Sequence, residues 1–457
     1  FDTGVDPAAA GLQVTTTGER KLVDVIDASG AGDVAMGEPI AVDPGATVTG
    51  ISGRALQLPQ AFESADGTVR LGVKRADELF HRRVHERLQH QRAEDWARLR
   101  AARVAARKRA ERTSEGPSLS ELKRQPPSEL TAAERDRLAR ARLLETLEAD
   151  ANDDDPGAVF DCVLWHDGTH FHAVVDTDAD GDLADETVLR PFGVDGEYAT
   201  FGGGIASNFA IQVYDDGDVL SIVTVSGSHG SHVAAIAAAH FPENSARNGI
   251  APGARILSVR IGDLRVGGSS DLTGELRAIA AAAQYGVDIA NVSWGGTSRF
   301  QDGSEYSVRL YNRLVEEYGV SAFISAGNSG PALSTLGSPG GEASRVIGVG
   351  AYVSEEMGRV LYRLLEANPD AAFQFTSRGP AKNGDLGVDV MAPGAAQASL
   401  AFDALQQSER YNGTSMSAPS AAGVGALLLS AAKDLGIGVT PARMRYALIN
   451  SATSLED

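Results

Sequence analysis

Short apolar runs alternate with stretches whose apolar residues recur every three to four positions, most regularly in the second half of this 457-residue chain. The runs Val219 to Val225, Arg255 to Ile261, Val287 to Val292, Ser321 to Ser325 and Ile347 to Ala351 predict strands. Glu275 to Tyr285, closed by Gly286, together with Ser307 to Tyr318 and Pro441 to Ser451, predict helices. Strands and helices in alternation predict an α/β fold with a mostly parallel sheet flanked by helices, which places chemistry at the carboxyl ends of the strands.

Residues 36–198 break this rhythm and are expected to be a large α+β insertion, leaving 1–35 and 199–457 as the two parts of one domain. Ala76 to Thr113 predicts a long charged helix with Phe80, Val84 and Leu88 on one face. Thr131-Ala132-Ala133-Glu134 is a capping box opening a second helix to about Glu148, and the Pro- and Ser-rich Ser114 to Pro127 joins the two. Such a helical hairpin would control access or contact a neighbouring subunit, the latter implying a homo-oligomer. Further on, Asp167-Gly168 signals a β-hairpin.

Three segments carry small residues where an element begins or ends. Asn412-Gly413-Thr414-Ser415-Met416-Ser417-Ala418-Pro419 leads into the small, apolar run Ala421 to Leu429; Gly413 permits a tight turn and Pro419 suits a first helical turn. Ser415 then sits where backbone amides without partners inside the helix can stabilise an oxyanion. A serine hydroxyl is a weak nucleophile until a base takes its proton. Gly227-Ser228-His229-Gly230-Ser231-His232 offers His229 between a strand and a buried helix, and Phe323 to Pro331 breaks into a glycine-rich turn that presents the Asn328 amide. Three strand-like runs carry aspartates that could orient His229, centred on Asp2, on Asp24 and Asp27, and on Asp176.

These segments, in this order, resemble the subtilisin-like serine peptidases, family S8. Asn248 to Arg255 (NGIAPGAR), Asn291 to Gly296 (NVSWGG), Phe375 to Pro380 (FTSRGP) and Val390 to Gly394 (VMAPG) agree with that resemblance. It implies a peptide-bond hydrolase working through an acyl-enzyme with an Asp-His-Ser triad, needing no cofactor and no metal. Asp176 lies 53 positions before His229 and Asp2 lies 227 before it. Spacing favours Asp176, but Asp2-Thr3-Gly4-Val5-Asp6-Pro7 is the family's aspartate motif, and Asp2 is taken as the triad member. The intervening insertion resembles that of the tripeptidyl peptidase II branch at Gly50 to Arg54, Asp161 to Gly168 and Asp178 to Leu183. The resemblance further implies that Ser293, Trp294, Gly295 and Gly327 bind the substrate, an unfolded or short peptide added as an antiparallel strand. In that branch two glutamates grip the substrate's terminal ammonium; the corresponding places here hold Ser269-Ser270-Asp271 and Gly296. The expectation is therefore an endopeptidase or relaxed oligopeptidase, with strict release of tripeptides as the alternative. Phe1 falls inside the aspartate motif, so the sequence reads as a fragment whose preceding strand is missing.

Composition narrows the classes. A hydrophobic fraction of 43% is ordinary for a globular protein, and a net charge of −20 argues against general affinity for nucleic acid or anionic membranes. No uninterrupted apolar run reaches membrane-spanning length. The single cysteine, Cys162, excludes an internal disulfide framework, which fits the cytoplasm and equally a secreted bacterial enzyme. Other features carry blander readings. Arg98, Arg100, Arg103, Arg107, Lys108, Arg109 and Arg112 read as a solvated helix face; His166, His170 and His172 as a decorated hairpin. Asp176, Asp178 and Asp180 open a calcium-loop pattern, but Thr187 replaces its closing glutamate, so a polar turn is expected. Asp27 to Asp33 matches the anion-hole motif of ribokinase-like sugar kinases, with too little chain before it to build such a domain. That kinase and a folded, inactive pseudopeptidase are the remote alternatives.

Overall fold

Ser321–Ser325 is buried at every position, because it lies inside a sheet covered on both faces. It pairs in parallel with Ile289–Val292 on one side and Ile347–Val353 on the other. Val390–Pro393 extends the sheet in parallel, and Ala371–Ala372 adds a short antiparallel edge. Alternation along Ser321–Ser325 divides the core. Ala322 and Ile324 pack with Leu310, Leu314 and Val315 of helix Tyr306–Tyr318, whereas Phe323 packs with Ala418, Ala421 and Ala422 of helix Thr414–Asp434.

A second parallel pair, Leu22–Asp27 with Ile256–Arg260, carries the aspartate motif. The Asp2 amide donates to the Val259 carbonyl at 3.2 Å and the Ile261 amide donates to the Asp2 carbonyl at 2.9 Å. The Phe1 backbone nitrogen donates to the Asn291 carbonyl at 2.7 Å, so this short segment lies between the two parallel groups of strands. Val219–Val223, which precedes the histidine motif, belongs instead to an antiparallel sheet with Ser207–Tyr214, Asp33–Ala35 and Ala199–Phe201.

The computed structural model describes residues 1–455 except 44, 60, 61, 95–97, 99–104, 106–116, 127, 128, 132, 136, 139–157, 298, 299, 301 and 367. These fall into two compact units, residues 1–81 with 159–457, and residues 82–158. Parts of the expected insertion thus belong to the larger unit. There Thr68–Arg75, Val159–His166 and Phe171–Val175 form a sheet around Leu71, Val163, Trp165 and Val174. Its hairpin loop is longer than Asp167-Gly168 alone suggests, since His166 pairs with Phe171. The Asp167 carboxylate accepts the amides of Thr169 and His170 and so holds four residues in the turn.

The long helix expected from Ala76 is interrupted. Ala76–Leu79 ends at Phe80, which is extended at φ −112° and ψ 137°, and helix resumes at 82–94. Phe80 leaves the helical path because its ring packs edge-on against Phe160 and Phe201 in the larger unit. In the smaller unit, Leu119–Leu122 is a short capped helix inside the segment read as a linker, and Leu122, Leu130 and Leu138 cluster. Thr131 and Glu134 form the expected reciprocal cap, and 133–135 and 137–138 are helical; the expected continuation past Leu138, the end of the first helix and the basic positions beyond Arg98 lie outside the described residues.

Helix Thr414–Asp434 is long and apolar enough to cross a bilayer by length and composition, although polar residues interrupt its apolar run. Its small residues Ala418, Ala421 and Ala422 instead pack on the sheet as part of the core of the larger unit.

Candidate active site

His229 opens helix His229–Ala238, four residues earlier than the apolar run alone predicts, and its ring is held by one strong contact. Nδ1 donates to Asp2 Oδ1 at 2.7 Å. Because that carboxylate oxygen can only accept, the proton sits on Nδ1 and the Nε2 lone pair is free to take another. Burial pulls the imidazole's pKa down, but the charge of Asp2 and its hydrogen bond together outweigh it, and the net shift is upward. Asp2 is itself fixed by the Thr3 amide on the same Oδ1 at 2.7 Å. Thr3 Oγ1 donates to the Gly227 carbonyl at 2.7 Å and accepts the Gly230 amide at 2.8 Å, which ties the aspartate loop to the start of the histidine helix. Nothing in residue type singled out Thr3; only its place beside Asp2 did.

Gly230 lets the two segments touch, since a Cβ there would lie 2.3 Å from the Gly4 carbonyl oxygen. On the same helix, His232 stacks on Tyr411 with ring centroids 4.4 Å apart, and its Nε2 donates to the Glu409 carbonyl at 3.0 Å. Burial lowers its pKa to about 4, so no second charge stands beside His229 near neutral pH.

Ser415 is the second residue of helix Thr414–Asp434, with Gly413 as its N-cap. Pro419 therefore falls in the second turn rather than the first, where its missing N–H has a consequence: the Ser415 carbonyl loses the donor an unbroken helix would supply. Ser293 Oγ donates to that carbonyl at 2.8 Å, and Ser415 Oγ donates to the Ser293 carbonyl at 3.3 Å. Asn328 Oδ1 accepts both the amide and the hydroxyl of buried Thr414, at 2.9 and 3.0 Å. With the oxygen so engaged, the Nδ2 donor is the end of the side chain left for a ligand.

One cleft of about 460 Å³ joins these pieces, lined by His229, Ser415, Asn328, Ser293 to Gly295, and Gly327. Ser293, Trp294 and Gly295 form no strand among themselves, but the next residues, Gly296–Thr297, pair with Gly337–Ser338. Ser415 Oγ is turned to the Ser293 carbonyl in this state.

The structure puts Asp2 and not Asp176 against His229. Asp176 is fully buried elsewhere: its Oδ1 accepts the Asp180 and Gly181 amides, and the Arg54 guanidinium lies 3.6 Å from Oδ2. Carboxylate oxygens of Asp176, Asp178 and Asp180 lie within 4.8 Å of one another, and Glu186 folds back onto the Thr177 amide and hydroxyl. Asp27 draws its glycine-rich turn inward, accepting from Ser29 and the Gly32 amide, which leaves that turn closed on its own carboxylate. Asp24 is taken by Gln212 and Tyr285. His172 pairs with Asp167 and stacks on Trp165, as suits a hairpin face.

The chain matches the subtilase family over residues 1–457. It is 40% identical over 455 residues to tripeptidyl-peptidase 2 of Caenorhabditis elegans, covering all of this chain and 33% of that protein. It is 38% identical over 468 residues to tripeptidyl-peptidase 2 of Oryza sativa subsp. japonica, covering all of this chain and 34% of that protein. A crystal structure of tripeptidyl peptidase 2 superposes with a TM-score of 0.71 at 28% identity, over the whole of this chain and 34% of that one. The chain thus spans about a third of the length of these relatives. With a family match across its full length, the chain belongs to the subtilase family.

Proposed function

We propose that the chain cleaves peptide bonds with Ser415 as nucleophile, His229 as general base and Asp2 as the group that orients and charge-stabilises the imidazole. The observation that carries this is the 2.7 Å Asp2–His229 hydrogen bond at the rim of a cleft that also holds Ser415 and Asn328. Ser415 Oγ loses its proton to His229 Nε2 as it attacks the scissile carbonyl; the same proton then passes to the leaving amine. Asn328 Nδ2 and the Ser415 backbone amide donate to the oxyanion, and the Thr414 contacts hold Asn328 in place beforehand. Water, activated by His229 in turn, releases the acyl group. Ser293 to Gly295 and Gly327 line the cleft along which an extended substrate backbone would lie.

For end specificity, release of tripeptides from free N-termini is the better supported reading. The two relatives described, which match over the whole chain, insertion included, are both named tripeptidyl-peptidase 2. One observation favours the endopeptidase reading instead. Asp271, the nearest acidic residue to one expected anchor, is committed to capping helix Leu272–Tyr285 through the Gly274 amide at 2.6 Å, and Gly296 holds the other place. A substrate ammonium held without a carboxylate would be costly. Cleavage of one peptide series with free and with acetylated N-termini decides between them: loss of cleavage on acetylation fits the tripeptidyl reading, and undiminished cleavage overturns it.

A further inference from the structure

We infer that the Ser293 hydroxyl is a positioning group for the nucleophile, made necessary by Pro419; this rests on the catalytic reading of Ser415 above. In an unbroken α-helix each carbonyl accepts the amide four residues on. Residue 419 is four after Ser415, and proline has no N–H, so the carbonyl of the nucleophile's own residue is left to find another donor. Ser293 Oγ supplies it at 2.8 Å. The donor is itself placed: Ser293 is 3% exposed, its Oγ accepts Asn291 Nδ2 at 3.1 Å, and Asn291 belongs to strand Ile289–Val292. A short relay thus runs from the sheet, through an amide and a hydroxyl, to the backbone of the first helical turn.

The geometry makes the relay matter for reaction rather than only for folding. The bond ends on the carbonyl oxygen of Ser415, two bonds from the Cα whose side chain carries Oγ, and Ser415 Oγ contacts the carbonyl of the same Ser293 at 3.3 Å. Two hydrogen bonds between two residues fix the serine against the wall of the cleft. A displacement of the nucleophile by about 1 Å can cost about a hundredfold in rate, and a half-buried carbonyl without a partner would favour such a displacement as it seeks a new donor. Substrate binding draws on the backbone of residues 293–295, which the hydroxyl does not form, so the effect should fall on kcat.

The test is a double-mutant cycle in the full chain, read by peptide hydrolysis and by the rate of labelling with a fluorophosphonate. Ser293→Ala should lower kcat and the labelling rate by about ten- to a hundredfold with KM within about twofold, whereas Ser293→Thr, which keeps a hydroxyl, should restore most of the rate. Pro419→Ala gives the Ser415 carbonyl an intrahelical donor and sets the baseline for the second half of the cycle. In that background Ser293→Ala should cost less than a third as many decades of rate as it does alone. Equal losses in both backgrounds, or labelling of Ser293→Ala at the wild-type rate, would overturn the inference. If Ser293→Ala fails to fold, as judged by thermal melting, a folded Pro419→Ala/Ser293→Ala variant supports the linkage and an unfolded one refutes it. Failure of the wild-type chain to label at all would count against the catalytic reading itself and is separately visible.

Discussion

Replacing Asp2 with Asn removes the charge beside His229 while keeping the side chain's shape, and the structure indicates how the amide will settle. Asp2 Oδ1 accepts from both His229 Nδ1 and the Thr3 amide, each at 2.7 Å, while Oδ2 is buried without a hydrogen-bond partner among the described residues. An asparagine that keeps its oxygen at the Oδ1 position preserves the histidine tautomer but strands its NH₂ group, at a cost of about 1–3 kcal/mol. In that arrangement the reaction loses only the attraction between carboxylate and developing imidazolium. At a separation near 4 Å and an effective dielectric constant of about 20 this is about 4 kcal/mol, or about three decades in rate. The flipped amide would instead force the proton onto Nε2 and disable the base, for a loss of about 10⁴. Asp2→Asn should therefore lower kcat by about 10³- to 10⁴-fold in a fluorogenic peptide assay. The pH profile adds a signed check. Neutral His229 is the active form and Asp2 raises its pKa, so the acid limb of kcat/KM should lie above an ordinary imidazole in the wild type and move to lower pH in Asp2→Asn. A variant within about threefold of wild type, or an acid limb that does not move down, would refute the assignment; so would an equal kinetic loss in a folded Asp176→Asn variant.

Asn328→Leu should lower kcat by about 10²- to 10³-fold with little change in KM, but it also leaves the Thr414 amide and hydroxyl without their acceptor, so thermal melting should fall as well. Asn328→Asp separates the two effects: it keeps the acceptor and loses the donor, and should retain most of the melting temperature while kcat still falls. Gly230→Ala places a methyl 2.3 Å from the Gly4 carbonyl oxygen, which pushes the aspartate loop off the histidine helix. Its activity should fall by more than its loss of folded population explains, and a full-rate, fully folded variant would show that the loop and helix need not touch.

The strand runs and most helix limits were legible from the chain alone because they rest on local periodicity. Ser321–Ser325 and Pro441–Ser451 fall where apolar spacing and the proline at the first helical position put them. His229, Ser415 and Asn328 were legible for a different reason: each stands among small residues at the end of an element, where only small residues let chains approach. The roles proposed for them rest on resemblance to a family, since periodicity has nothing to say about chemistry. Tertiary structure decided what local pattern could not. Two aspartates competed for His229 on spacing and motif, and the backbone bonds of Asp2 with the strand Ile256–Arg260 bring the more distant one to the imidazole. Phe80 sits in a helical pattern yet is extended, because two aromatic rings far along the chain bury it better than a helix would. Pro419 reads as a first-turn residue, and only the folded helix shows that it withholds a donor from Ser415, which Ser293, 122 positions away, provides. Hydrogen-bond partners distant in sequence are chosen by packing, and packing is settled only when the whole chain has folded.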